Sequence, residues 1–66
     1  MEIQLNGEKR QWEGPLTVLA LLESLGVSPA TVAVEKNLRI VSREEMAQEM
    51  IHDGDAVEII RMVGGG

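Results

Sequence analysis

Cysteine is absent from this 66-residue chain, and Trp12 is its only aromatic residue. Without thiols the fold cannot be held by a disulfide or by a thiolate zinc site, and one histidine, His52, cannot form a multi-histidine metal site. The chain is also too short to enclose a deep pocket in addition to a core, so an autonomous enzyme is not expected. Stability must come from packing of aliphatic residues, which supply nearly all of a hydrophobic fraction of 44%.

Basic residues are few: six Lys and Arg stand against eleven Asp and Glu, a formal net charge of −5. Nucleic-acid phosphates need a basic surface, so this balance argues against a nucleic-acid partner. No apolar run approaches the length of a membrane span, and the first residues lack the basic start and apolar core of a signal peptide. We therefore expect a cytoplasmic protein without a membrane partner, whose protein partners present basic surfaces.

The first half of the chain predicts a β-hairpin followed by a helix. Polar and apolar residues alternate before Asn6–Gly7, two residues that tolerate the positive φ of a type I′ turn, and Lys9–Glu13 forms the returning strand. Leu16–Gly26 predicts a helix with Thr17 as N-cap and Gly26 as the C′ residue. Its apolar residues recur at three- and four-residue intervals on one face, which must pack on the hairpin. They are Val18, Leu21, Leu22 and Leu25.

The middle of the chain predicts a third strand and a short helical turn. The β-branched residues of Thr31–Glu35 favour a strand, and a turn then leads into the short apolar pair Ile40–Val41. Ser42 and Glu45 have the capping-box spacing that opens a helical turn. The side chains expected on the inner side of that turn are Met46 and Met50.

The turn His52–Asp55 leads into the last strand, Ala56–Val63, whose two faces differ. One face carries Val57, Ile59, Arg61 and Val63, and the other carries Glu58, Ile60 and Met62. The first face is expected to be core, so the apolar residues of the second point outward near the chain end, either as a docking patch or packed under a loop. Arg61 either contacts an acidic group of a partner or pairs with a glutamate. The expected docking residues are Ile60, Arg61, Met62 and Val63.

The element order β-β-α-β-(β)-β predicts an α+β fold of the ubiquitin-like β-grasp type. Such a fold has a mixed four- to five-stranded sheet, one main helix packed across one face and, here, a short second helical turn. The first and last strands are expected to be central neighbours, so the chain end leaves the sheet from a packed base.

Three glycines, Gly64–Gly66, directly follow the last strand. Glycine has no Cβ and tolerates nearly all backbone conformations, so a glycine end can thread a narrow channel that a bulkier end could not enter. We therefore expect a single domain over residues 1–66, with 64–66 as a flexible tail that delivers the Gly66 carboxylate to a partner as the reactive group. An ordinary frayed terminus or linker is the alternative.

Seven short segments share their order and spacing with a known family. They are Leu5–Glu8, Thr17–Leu22, Val32–Asn37, Ile40–Arg43, Asp53–Asp55, Val57–Ile60 and Val63–Gly66. No segment is specific alone, but their order and a chain end at Gly66 are specific together. Along its whole length the chain resembles the sulfur carrier protein of thiamine biosynthesis, a prokaryotic relative of ubiquitin.

This resemblance implies a carrier cycle. An adenylating enzyme of the ubiquitin-activating type would use ATP and magnesium to convert the Gly66 carboxylate into an acyl-adenylate. Sulfur from a persulfide, derived from a cysteine desulfurase, would replace the adenylate, and the Gly66 thiocarboxylate would donate its sulfur to thiazole synthase. Gly64 and Gly65 would enter the partner active sites. All catalytic groups would sit on the partners, so the chain is expected to bind no cofactor or metal and to be a carrier, not an enzyme.

Two other functions stay open. The small subunit of molybdopterin synthase also ends in a double glycine and carries a thiocarboxylate, although its chains are usually longer and richer in aromatic residues. The compact length and the Val63–Gly66 ending favour the thiamine carrier. The other alternative is a non-covalent ubiquitin-like binding module, which would work through its sheet face and tolerate loss of the tail.

Overall fold

The computed structural model describes residues 1–62 as a five-stranded mixed sheet, a second two-stranded sheet and one α-helix. The strands are β1 (Glu2–Leu5), β2 (Glu8–Gln11), β3 (Leu16–Thr17), β4 (Val32–Lys36), β5 (Arg39–Val41), β6 (Met50–Ile51) and β7 (Ala56–Arg61), and the helix is α1 (Val18–Ser24). Two 3-10 turns complete the described elements, at Pro29–Thr31 and Arg43–Glu45.

The main sheet has the order β2-β1-β7-β4-β5. β1 and β7 are parallel, and the other neighbours are antiparallel. The first and last strands are therefore central neighbours, as predicted, and the ubiquitin-like fold class is confirmed. β7 is the central strand of the sheet, with β1 beside its first residues and β4 along its length.

The N-terminal hairpin forms around the predicted turn. Asn6 and Gly7 have φ angles of 50° and 84°, in the left-handed region that a type I′ turn requires at both positions. The register pairs Leu5 with Glu8 and Glu2 with Gln11. The returning strand starts one residue earlier and ends two residues earlier than the predicted Lys9–Glu13.

The helix has the predicted ends. The Thr17 hydroxyl oxygen accepts a hydrogen bond from the Ala20 N–H at 3.0 Å, which satisfies one of the donors at the helix start. At the other end Gly26 has a φ of 71°, and the Val27 N–H donates to the Leu22 carbonyl at 2.9 Å, as in a Schellman motif. Leu16 was predicted within the helical segment, but it pairs with Ile51 in the small β3–β6 sheet.

One aliphatic core lies between α1 and the inner face of the main sheet. The buried residues come from α1, from five of the strands and from Met46 after the second 3-10 turn, and they are Ile3, Leu5, Val18, Leu21, Leu22, Val32, Val34, Val41, Met46, Ile51 and Val57. The predicted inner face of the helix is confirmed, with Leu25 packed at its margin. Within residues 1–62 no helix is long and apolar enough to cross a membrane.

Two predictions for the middle of the chain need correction. Thr31 belongs to a 3-10 turn and not to the third strand, because Pro29 starts the turn and the Ser28 hydroxyl caps it. Met46 is buried as predicted, but Met50 is not on the inner side. Met50 and Ile51 form β6, and strand alternation buries Ile51 while leaving Met50 partly exposed. The capping box of Ser42 and Glu45 is confirmed.

Candidate functional site

The candidate site is the end of β7, which is followed in the sequence by Gly64–Gly66. The last backbone hydrogen bond described along this strand runs from the Met62 N–H to the Thr31 carbonyl, at 3.0 Å. Thr31 is itself held by the 3-10 turn, because its N–H and its hydroxyl both donate to the Ser28 carbonyl. Met62, the last described residue, is therefore attached to a capped turn. Val63 and Gly64–Gly66 lie outside the described residues.

The first half of β7 is anchored to β1 by hydrogen bonds beyond the strand itself. The Gln4 and Asn6 N–H groups donate to the Asp55 and Val57 carbonyls, each at 2.9 Å. The Asn6 side-chain oxygen then accepts from the Ile59 N–H at 2.7 Å, so the amide of a turn residue extends the ladder past the end of β1. The sequence predicted Asn6 only as a turn residue. Its bond to Ile59 joins residues 53 positions apart, so no local pattern indicates it.

A polar network fixes the start of β7 to the β4–β5 turn. The Asn37 side chain donates to the Asp55 carboxylate at 3.0 Å and accepts from the Ala56 N–H at 2.9 Å. The Lys36 ammonium lies 2.7 Å from the Glu49 carboxylate and 3.8 Å from that of Asp55, and it also donates to the Met50 carbonyl. The network joins three chain segments at the point where β7 begins.

Asp55 is the central acceptor of this network, and its side chain is only 16% exposed. Burial disfavours its charged form, but hydrogen bonds from the His52 N–H and the Asn37 amide, together with the charge of Lys36, outweigh that cost, so the pKa of Asp55 is lowered. His52 contributes through its backbone N–H, at 2.8 Å from the carboxylate. Among residues 1–62 no three His, Asp or Glu side chains are grouped to hold a metal ion.

The last strand was predicted as Ala56–Val63, but β7 ends at Arg61 and Met62 follows it outside the strand, while Val63 lies outside the described residues. The end of β7 and Met62 expose apolar side chains, as predicted. Ile60 is 48% exposed and Met62 is 53% exposed. Ala33 is the cross-strand neighbour of Ile60, and Ile40, which is 76% exposed, lies on the same face one strand further out. We call these four residues the outer patch. Ala33, Ile40 and Met62 line a shallow groove of about 250 Å³ beside Pro29.

Sequence reasoning found two members of the outer patch and missed the other two. Ile60 and Met62 followed from alternation in the last strand, but Ala33 and Ile40 join them only because β4 pairs with β7 and β5 pairs with β4. Strand order in a sheet is not visible in local periodicity. The sequence offered no signal for Ile40, because it belongs to a strand of three residues in which Arg39 and Ile40 are both exposed and only Val41 is buried.

The outer patch borders a pair of carboxylates. Glu35 of β4 is directly opposite Glu58 of β7, and Ile40 is opposite Glu35 on the other side. Within residues 1–62 neither glutamate has an ion-pair partner. Like charges directly opposite on neighbouring strands repel, so this arrangement costs some stability. The outer face therefore combines apolar side chains with negative charge.

Arg61 lies on the other face of β7, toward the helix, and it is exposed. Of the two roles predicted for it, pairing with a neighbouring glutamate is not seen within residues 1–62. The predicted docking residues Ile60, Arg61 and Met62 are thus consecutive at the end of β7, but they do not form one surface. Ile60 and Met62 face outward and Arg61 faces inward.

Comparison with known proteins places the chain in a family. The model of the ThiS family matches residues 3–66. The sulfur carrier protein ThiS of Escherichia coli is 36% identical over 66 residues, which cover all of both chains. The crystal structure of the thiamine biosynthesis protein ThiS from Geobacter metallireducens is similar with a TM-score of 0.87 and 38% identity, again over the full length of both chains.

A thiazole synthase is also among the relatives. The thiazole synthase of Paramagnetospirillum magneticum is 47% identical over 66 residues, which are all of this chain and 20% of that protein. The chain spans about a fifth of the length of the curated thiazole synthases that it matches. A segment similar to this chain therefore also occurs as part of a longer enzyme chain. The full-length family match and the full-length relatives confirm the resemblance found in the sequence: the chain belongs to the ThiS family.

Proposed function

We propose that this chain is a sulfur carrier for the thiazole moiety of thiamine, and that the carboxylate of Gly66 is the group that carries the sulfur. The observation that supports this most strongly is the family match through residue 66, which includes the glycine tail. The fold adds a physical reason, since the strand that precedes the tail in the sequence, β7, is the central strand of the sheet. A rigid base with a glycine end suits delivery of one reactive group to several enzymes.

The first proposed step is activation of the tail by an adenylating enzyme. A carboxylate is a poor electrophile, so attack by sulfur needs a better leaving group. The Gly66 carboxylate oxygen attacks the α-phosphorus of ATP, pyrophosphate leaves, and an acyl-adenylate forms. ATP and magnesium belong to the partner enzyme, and this chain supplies only the carboxylate and the surfaces that position it.

The second proposed step brings in sulfur from a persulfide that originates from a cysteine desulfurase. The terminal persulfide sulfur attacks the Gly66 carbonyl carbon and AMP leaves with the bonding electrons. A thiol then attacks the donor-derived sulfur of the resulting acyl disulfide. The S–S bond breaks, the Gly66 thiocarboxylate leaves with the bonding electrons, and the thiol and the donor sulfur form a disulfide. Thiazole synthase then accepts this sulfur, and the occurrence of a similar segment within thiazole synthase chains supports that pairing.

The outer patch is proposed to dock the adenylating enzyme. Ile60 and Met62 are exposed apolar groups immediately before the tail, and Ala33 and Ile40 extend them into one surface. Apolar groups at the centre of a protein interface with charge at its margin are typical of docking surfaces. Glu35 and Glu58 supply negative charge that would favour a basic partner. Val63, the remaining predicted docking residue, keeps that role as a proposal.

No residue of this chain is proposed to be catalytic, and the whole chain, residues 1–66, is proposed to act as one domain in the cytoplasm. The described groups that resemble catalytic ones have structural roles. Asp55 and Lys36 hold the start of β7, and His52 belongs to the preceding turn. The chain is therefore a cosubstrate, and its contribution to rate comes from docking of the domain, which keeps the Gly66 carboxylate close to the partner active site.

Intact mass measurement tests this function. The chain is incubated with ATP, magnesium, the adenylating enzyme and a persulfide source, and fragment masses locate any change. We expect a gain equal to the replacement of one oxygen by sulfur, located at Gly66 and absent from a variant that lacks Gly65–Gly66. An unchanged mass, with an adenylating enzyme that is active on another carrier of the family, would contradict the proposal and favour a non-covalent binding module.

A further inference from the structure

A cleft on the helix side of the main sheet has no role in the function proposed above. It has a volume of about 350 Å³ and lies between the C-terminal end of α1 and the inner face of the sheet. Its apolar lining residues, which we call the floor, are Leu5, Leu25, Val27, Val32 and Ile59, and Asn6 also lines the cleft. Two arginines, Arg10 and Arg61, line the cleft with this floor. The cleft and the outer patch are therefore on opposite faces of β7.

The two arginines give the cleft positive charge in a chain that is acidic overall. Within residues 1–62 neither Arg10 nor Arg61 has an ion-pair partner. Glu8 shares the inner face of the hairpin with Arg10, yet it forms no ion pair with either arginine. The Arg10 guanidinium lies over the Trp12 ring, 5.2 Å from its centroid, which holds that side chain beside the cleft.

Two cations on one apolar cleft indicate the chemistry of the group that it would bind. A guanidinium binds a carboxylate through paired hydrogen bonds, and it is suited to interfaces because it is weakly hydrated. An apolar side chain of the bound segment would at the same time cover the floor, so that apolar surface on both is removed from water. The complementary segment has an Asp or Glu next to an aliphatic or aromatic residue. This is the reverse of the outer patch, which favours a basic partner.

We propose that this cleft is a second docking surface, which receives an acidic segment with an adjacent apolar side chain on thiazole synthase. The proposal rests on the proposed carrier function. Arg61 is one residue from Met62, so a protein that takes up the tail lies next to the cleft. The carboxylate of the segment contacts Arg10 and Arg61, and the apolar side chain covers the floor.

The relatives in which a similar segment is part of a thiazole synthase favour this partner over the adenylating enzyme. If the similar segment of such a chain is also a carrier, the synthase to which it is joined is present whenever that segment is loaded. If both enzymes used one surface, a docked synthase would block loading. Separate surfaces on the two faces of β7 remove this conflict, because the outer patch stays accessible while the cleft is occupied.

Charge reversal tests the assignment. Arg61→Glu and Arg10→Glu are each expected to weaken binding of the full chain to thiazole synthase by about tenfold or more. The KM for the carrier in the adenylation reaction is expected to change by less than about twofold. Arg39→Glu is the matched control, since it makes the same charge change at an exposed position on β5, outside the cleft. It should leave binding to the synthase close to that of the unchanged chain.

Three results would overturn the proposal. If Arg39→Glu and Arg61→Glu weaken binding to thiazole synthase equally, the effect is one of net charge alone. A rise in the KM for adenylation with unchanged binding to the synthase would assign the cleft to the other enzyme. Unchanged binding in both cleft variants would remove the arginines from the interface. Binding to the synthase is measured on the unloaded chain, so these results are separate from failure of sulfur loading.

Methyl resonances provide a second measurement that needs no substitution. When thiazole synthase is added, the methyl signals of Val27 and Ile59 in the cleft are expected to shift more than that of Ile40 on the outer face. Shifts at Ile40 and Ile60 with none at Val27 and Ile59 would place the synthase on the outer patch and contradict the proposal.

Discussion

The two ends of β7 differ in what holds them. Its start is joined to β1, to the β4–β5 turn and to the segment that carries Glu49 by backbone bonds and the Asp55 network, and Val57 is 1% exposed. Its end pairs with β4 alone among the described strands, with Ile60 opposite Ala33 and Arg61 opposite Val32. The next residue, Met62, donates one backbone bond to Thr31, and Ile60 and Met62 are exposed. We call the start of the strand, with Asp55 and Val57, its stability end, because its contacts hold the fold together. We call the other end, with Ile60 and Met62, its contact end, because its exposed side chains can touch a partner. Substitutions at the two ends should therefore affect different measurements.

Bulk in the tail itself should have the largest effect. Gly65→Val adds a branched side chain where a narrow channel is proposed to admit only glycine, and displacement of the carboxylate from its attack position is costly. Sulfur loading should fall by about 100-fold or more. The thermal midpoint should match that of the unchanged chain. Loading at the normal rate would show that the tail does not enter a confined channel.

Loss of the Asp55 carboxylate should destabilise the fold without a specific effect on docking. Asp55→Ala leaves the His52 N–H and the Asn37 amide without their acceptor, and we expect the free energy of unfolding to fall by about 2–3 kcal/mol. Urea unfolding at pH 7 measures this. Glu44→Ala, at an exposed position of the 3-10 turn, is the control. A loss as small as that of the control would contradict the assigned role of the network.

The same variant should change the pH dependence of stability. The pKa of Asp55 is lowered in the folded state, so its contribution is complete above the unfolded-state pKa of about 3.9 and is lost as the pH falls through the folded-state value. The unchanged chain should therefore lose more stability than Asp55→Ala between about pH 5 and pH 2. Parallel stability curves would contradict this expectation.

Polar substitutions at the contact end should weaken docking and leave the stability of the fold almost unchanged. Ile60→Thr and Met62→Thr remove apolar surface that is already half exposed, so the free energy of unfolding should change by about 0.5 kcal/mol or less. The KM for the carrier in adenylation should rise by roughly tenfold with little change in kcat, because an interaction made only on docking is lost. An unchanged KM in both variants would remove the outer patch from this interface.

The smallest expected effect is a gain in stability on the outer face. Glu58→Gln removes the repulsion between opposed carboxylates of β4 and β7, and the free energy of unfolding should rise by roughly 0.5 kcal/mol. Glu44→Gln is the matched control, with the same chemical change away from the sheet. If the two variants are equally stable, the opposition of Glu35 and Glu58 has no measurable cost.

Much of the fold could be predicted because its signals are local. Asn6–Gly7 specifies a turn with two positive φ angles, Thr17 and Gly26 mark the helix ends, and alternation separates Val57 from Ile60. The corrected elements lack such signals. Leu16 and Ile51 pair in strands of two residues, which are too short to show a period, and this pairing is what leaves Met50 partly exposed.

The candidate site could be predicted only in part for the same reason. The tail and the outward residues of β7 follow from sequence order and alternation. Asn6 as an acceptor for Ile59, Ala33 and Ile40 in the outer patch, and Arg10 beside Arg61 all depend on which strands become neighbours. These contacts join residues that are far apart in the chain, so no local pattern contains them.

Sulfur transfer in a single turnover tests the central claim most directly. The chain is loaded with heavy-isotope sulfur, freed of the adenylating enzyme and ATP, and mixed with thiazole synthase and its other substrates. We predict that the carrier returns to its original carboxylate mass while the heavy sulfur appears in the thiazole product in equal amount. A carrier that keeps its sulfur while thiazole forms with sulfur from another source would contradict the account.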